Sequence, residues 1–69
     1  MTLHTLAAVH ATHDLYQGPN MVKLGWHGRV VDSFPNWSST TYSVEFIPDG
    51  ERGITLTMSG LTEFDVQPD

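Results

Sequence analysis

In the stretch TYSVEFI, Thr41 to Ile47, apolar Tyr42, Val44 and Phe46 alternate with polar Ser43 and Glu45. No other feature of the chain constrains its fold as strongly. Successive side chains of a strand point to opposite faces of a sheet, so this spacing gives one face to a core and the other to water or a partner. The alternation returns in ITLTMS, Ile54 to Ser59, where Ile54, Leu56 and Met58 share one face and Thr55 and Thr57 the other. Between the two lies PDGERG, whose Asp49-Gly50 pair is tight-turn chemistry. Two such strands are only marginally stable alone, so the rest of the chain has to supply more.

The material for a core is scarce. The chain has 69 residues, enough for one domain spanning 1–69. A domain of this size buries only about 60% of the surface its unfolded form exposes. It has no cysteine, so neither a disulfide nor a thiolate metal site can staple it. A closed β-sheet, a partner chain, or both are the remaining routes to stability.

Strands are legible elsewhere. Thr5 to Ala11 alternates with period two, and threonine and histidine interrupt the weak helical stripe of Leu3, Leu6, Ala7 and Val9. LYQGPNMVKLG, Leu15 to Gly25, reads as a long loop around the turn residues Gly18, Pro19 and Asn20. WHGRVVDSF, Trp26 to Phe34, is the second strand, with Gly28 marking a bulge or a close backbone crossing. Gly25 and Gly28 together let the GWHG corner pass close to a neighbouring strand. PNWSST is a turn. Gly60 to Glu63 is long enough for one 3₁₀ turn, and Phe64 to Val66 forms a short last strand.

These elements predict an all-β fold: a small five-stranded SH3-like barrel with one short 3₁₀ turn before the last strand. An OB-fold usually has a longer helix between its third and fourth strands than PDGERG allows. The predicted core is Trp26, Val30, Val44, Phe46, Leu56 and Phe64.

Charge narrows the function. The net charge is −5, and Lys23, Arg29 and Arg52 are the only Lys or Arg residues. Phosphate-backbone binding needs several cations on one face, which makes a nucleic-acid partner unexpected. Six of the eight acids, Glu45, Asp49, Glu51, Glu63, Asp65 and Asp69, fall in the last 25 residues. They keep the domain soluble or meet a basic partner. No apolar run reaches the roughly 18 residues of a membrane span. The N-terminus lacks a basic region before its short apolar stretch and reads as mature, cytoplasmic sequence.

Four histidines, His4, His10, His13 and His27, are many for this length. His10 and His13 have the H-x-x-H spacing of two ligands on a helix, but they fall on a strand and loop. His4 and His10 share strand parity, and Asp14 is the nearest candidate for a third ligand. The reading is half-exposed polar residues with no metal and no cofactor. There is no cysteine nucleophile, and no serine sits in a glycine elbow. A barrel this small has no deep pocket of its own, so an active site would have to form between subunits. Exposed aromatics point elsewhere. Trp37 lies in a polar turn and Tyr16 in the long loop. Either Trp37 folds back over the barrel mouth, or the two form a partner-binding patch with acidic Asp49 and Glu51 beside it.

Gly25, Gly28 and Val30, then Tyr42, Val44 and Phe46, then Leu61, Glu63 and Val66 follow a pattern of G-x-x-G-x-V, Y-x-V-x-F and L-x-E-x-x-V. Over about two-thirds of the chain this resembles small SH3-like barrels. LYQGPNMVKLGWHGRVV is similar to the variable chain of ferredoxin-thioredoxin reductase and like accessory barrels, which implies a non-catalytic subunit that stabilises a larger protein. WHGRVV and YSVE also resemble the plasmid-borne type II dihydrofolate reductase, a tetramer with its active site in a central pore. That family's V-Q-I-Y strand aligns here with Ile54-Thr55-Leu56-Thr57, so its substrate-gripping residues do not carry over. The G-x-x-G-x-V hairpin is similar to the KOW element as well, and the acidic charge suits a phage-type inhibitor of a nucleic-acid-handling enzyme. The leading expectation is a non-enzymatic protein-binding module, with the oligomeric enzyme and the acidic inhibitor as alternatives. Homo-oligomerisation stays open.

Overall fold

Val9, Val30, Val44, Phe46 and Met58 point to one side of a twisted antiparallel sheet and are almost wholly shielded from water. The computed structural model describes residues 6–36, 38–48 and 53–69. Seven strands follow in order: β1 (Ala8–Ala11), β2 (Leu15–Gln17), β3 (Asn20–Val22), β4 (His27–Pro35), β5 (Thr40–Phe46), β6 (Leu56–Leu61) and β7 (Val66–Pro68). Five form one sheet in the order β6-β5-β4-β1-β7, and β2 and β3 form a separate hairpin. The fold is all-β. The sheets do not close into a barrel, since β6 and β7 stand at opposite edges.

The expected long loop is the β2–β3 hairpin. Gly18 adopts a φ of +58° and Pro19 follows it, which turns the chain in two residues. Leu15 and Val22 are cross-strand partners, and both are buried in the core. The hairpin is thus a lid on the inner face of the main sheet, and this apolar pair replaces the closure that a barrel would provide.

The GWHG corner divides the work of its glycines. Gly25 has a φ of +88°, and its backbone is tied to β1: Gly25 N–H donates to Ala11 O (2.9 Å) and Ala11 N–H to Trp26 O (3.0 Å). A Cβ at Gly25 would meet nothing, so conformation and not crowding requires glycine there. Gly28 is the close crossing. A Cβ on it would lie 2.7 Å from the carbonyl oxygen of Glu45 and 3.0 Å from the Phe46 and Val44 side chains. The bulge falls later, where Val31 is the extra residue between the Val30–Val44 and Asp32–Ser43 pairs.

A second bulge corrects the C-terminal reading. Ser59 and Gly60 stand opposite Ser43, and Gly60 has a φ of +72°. The irregularity carries β6 on to Leu61, which is buried. In place of the expected 3₁₀ turn, a hydrogen-bonded turn runs over Thr62–Asp65. There Asp65 N–H donates to Thr62 O (3.0 Å), and the Asp65 carboxylate accepts from Thr62 N–H and Oγ1. The last strand is Val66–Pro68, not Phe64–Val66. Phe64 is 86% exposed, a correction to its place in the predicted core, because it rides the turn and not the strand. Ile54 precedes β6 and is exposed too. Trp26 and Leu56 pack against the core from its rim, half-buried.

Candidate interaction site

Turning Leu15 and Val22 inward turns their neighbours outward. Tyr16 and Met21, the next cross-strand pair, face solvent with 72% and 37% of their surfaces exposed. The hairpin is held from beneath by the core and from the side by Gln17. The Gln17 amide donates from Nε2 to Ser59 O (2.7 Å) and accepts from Ser59 N–H at Oε1 (3.2 Å). One side chain thereby satisfies the outward backbone N–H and C=O of Ser59 on edge strand β6, as one residue of a further strand would. Of the residues expected in the patch, Tyr16 is exposed on a held hairpin. Trp37, Asp49 and Glu51 lie outside the described residues, as does His4.

The outer face of the main sheet is polar and ordered in rows. Gln67, His10, His27 and Ile47 line up across β7, β1, β4 and the end of β5, followed by Asp69, Ala8, Arg29, Glu45 and Thr57. The imidazoles of His10 and His27 meet edge to face, their centroids 6.4 Å apart. Both present Nδ1 to the Asp69 carboxylate, at 3.0 Å from His10 and 3.2 Å from His27. The hydrogen bond from His10, aided by His27, holds the Asp69 carboxyl below its ordinary value of 3.8.

His13 is elsewhere. Its Nε2 lies 2.9 Å from Asp65 Oδ1 and its Nδ1 2.9 Å from the carbonyl oxygen of Asp14. The H-x-x-H pair is thus split between two aspartates. The Asp14 carboxylate accepts from Leu24 N–H (2.8 Å) and fixes the loop before the GWHG corner. Among the described residues no three histidine or carboxylate side chains form a group able to hold a metal. Ser43 and Ser59 hydrogen-bond each other through their hydroxyls (3.0 Å). The described histidines bond aspartates, not serines.

Two adjoining depressions of about 410 and 250 Å³ run along this face and share His27 and Ile47. The larger is floored by half-buried Trp26 and walled by exposed Lys23, Leu24 and Ile47. Its lining is open to water and suits a surface contact better than an enclosed ligand.

Sequence reasoning missed the histidine–aspartate contacts. Four histidines ahead of a tail bearing Asp65 and Asp69 are the only signal, and pairing them needs the β1–β7 register. No family model, curated protein or solved structure matches the chain.

Proposed function

We propose that this chain is a non-enzymatic protein-binding module or accessory subunit of SH3-like plan, which binds a larger protein through Tyr16 and the residues around it. The observation that carries this reading is the Tyr16–Met21 pair, solvent-facing on a hairpin that the core and Gln17 both hold. A large aromatic beside an adaptable methionine suits an interface hot spot. A held hairpin loses little freedom on binding, so most of its contact energy appears as affinity. The order of the elements supports the SH3-like plan, with the hairpin standing where such barrels carry their long binding loop. Trp37, Asp49 and Glu51 belong to the same proposal through their place in the sequence.

The test is capture of partners from the cell of origin, followed by calorimetric titration of the captured protein. The wild-type chain and the double variant Tyr16→Ser, Met21→Ser are compared. Both side chains are exposed, so the variant is expected to melt as the wild type does. A stoichiometric complex that weakens roughly thirtyfold or more supports the proposal, since a hot spot is worth at least about 2 kcal/mol. Unchanged affinity in the variant removes this surface, and failure of any stoichiometric complex to form removes the binding-module reading.

A further inference from the structure

β7 is three residues long, lies at an edge of the sheet, and buries only Val66. Two backbone hydrogen bonds bracket it: Thr12 N–H to Asp65 O (2.9 Å) and Asp69 N–H to Ala8 O (3.1 Å). A short edge strand with one core residue is where a small domain opens first. Yet an aspartate stands immediately before it and another immediately after, and each is held by histidine. Asp65 meets His13 from the loop after β1, and Asp69 meets His10 of β1 and His27 of β4. All three histidines among the described residues are engaged on these two carboxylates.

We infer that β7 is a proton-controlled latch, fastened at both ends by histidine–aspartate clasps and loosened as the imidazoles lose their protons. The geometry at His13 carries the argument. Both of its nitrogens face oxygen acceptors, the Asp14 carbonyl oxygen and the Asp65 carboxylate. An imidazolium donates to both. A neutral ring has one N–H, so its proton, released to solvent, takes one hydrogen bond and the ion pair with it. At the other end a neutral ring of His10 or His27 that keeps its proton on Nδ1 still donates to Asp69, but the ion pairs are lost.

The surrounding charges are those of Arg29 beside Ala8, Glu45 on β5, Lys23 before β4, Asp14 next to His13 in the chain, and Glu63, two residues before Asp65, whose carboxylate accepts from the Tyr42 hydroxyl. Lysine and arginine stay protonated and ordinary carboxylates ionised between about pH 5 and 8, where imidazoles change charge. Opening bares the edge of β1, Ala8–Ala11, to which an extended segment of another chain could pair. The inference does not depend on the binding-module reading.

The experiment is amide hydrogen exchange by NMR on the full chain from pH 5.5 to pH 8. Exchange is expressed as protection factors, so that base catalysis of exchange itself cancels. Protection at the Thr12 and Asp69 amides is expected to fall roughly three- to tenfold as pH rises, the scale of one or two exposed ion pairs. The β5 amides are expected to stay level. The triple variant His10→Gln, His13→Gln, His27→Gln is expected to abolish the pH dependence at both amides. Should the triple variant lose protection in β5 too, Asp69→Asn takes its place, and it must flatten the profile at position 69 alone. Protection at Thr12 and Asp69 that is level in the wild-type chain overturns the latch, and so does an equal fall in the variants.

Discussion

Gly28 and Gly25 are the same residue type, three positions apart, under different demands. At Gly28 an added methyl meets backbone, the Glu45 carbonyl oxygen at 2.7 Å, which cannot rotate away. Gly28→Ala is therefore expected to push β4 from β5 and cost about 1–3 kcal/mol, read as a lower urea midpoint. At Gly25 there is space, and the cost of Gly25→Ala is the left-handed backbone alone, about 1–2 kcal/mol. A crystal structure or NOE pattern of the Gly28 variant should show a displaced strand, and that of the Gly25 variant an unmoved one. The phenylalanines divide in the same way. Phe46 is wholly buried and Phe64 is 86% exposed. Phe46→Ala should cost about 3–5 kcal/mol and unfold much of the population. Phe64→Ser should change stability by no more than about 0.5 kcal/mol, measured by the same denaturation.

Elements were legible where the side chains alternate and obscure where the backbone breaks the alternation. The period-two stretches of β5 and β6 declare their faces in the sequence, and Val44, Phe46 and Met58 are buried as that pattern requires. The bulge at Ser59 and Gly60 is local and has no hydrophobic signature, so β6 runs on through Leu61 and Phe64 leaves the core. The hairpin was hidden for another reason. Its strands have three residues each, too few for a period to register, and their stability is tertiary. Of the expected patch, the exposure of Tyr16 was legible from its place beside turn residues. The rows of His10, His27 and Asp69 were not, because they depend on which strands become neighbours. The Gln17 contact tests how the hairpin is held. Gln17→Ala removes two hydrogen bonds to Ser59 and leaves Leu15 and Val22 in place. It should cost about 1–2 kcal/mol and speed exchange of the Ser59 amide, without altering the β5 amides. Equal loss of protection across hairpin and sheet would show that the two open as one unit.

Across the whole molecule the acidic excess and the histidines oppose each other. With a net charge of −5, ionised carboxylates repel one another, and Asp65 and Asp69 are hydrogen-bonded to imidazoles of the N-terminal half. This sets the direction of acid sensitivity. The Asp69 carboxyl titrates below its ordinary 3.8 in the folded chain, chiefly through the hydrogen bond from His10. A carboxyl depressed by folding adds stability that is fully present above its unfolded value and is lost as pH falls through the folded one. Asp69→Asn should therefore lower the melting temperature at pH 5 to 6, and the gap from the wild type should close as pH falls well below 3.8. Melting curves by circular dichroism from pH 6 down to pH 2 measure it. A gap that stays constant over that range would assign the effect to packing of the side chain and not to its charge. A gap that widens toward low pH would mean that protonated Asp69 holds β7 better than the carboxylate does, reversing the electrostatic account of the clasp.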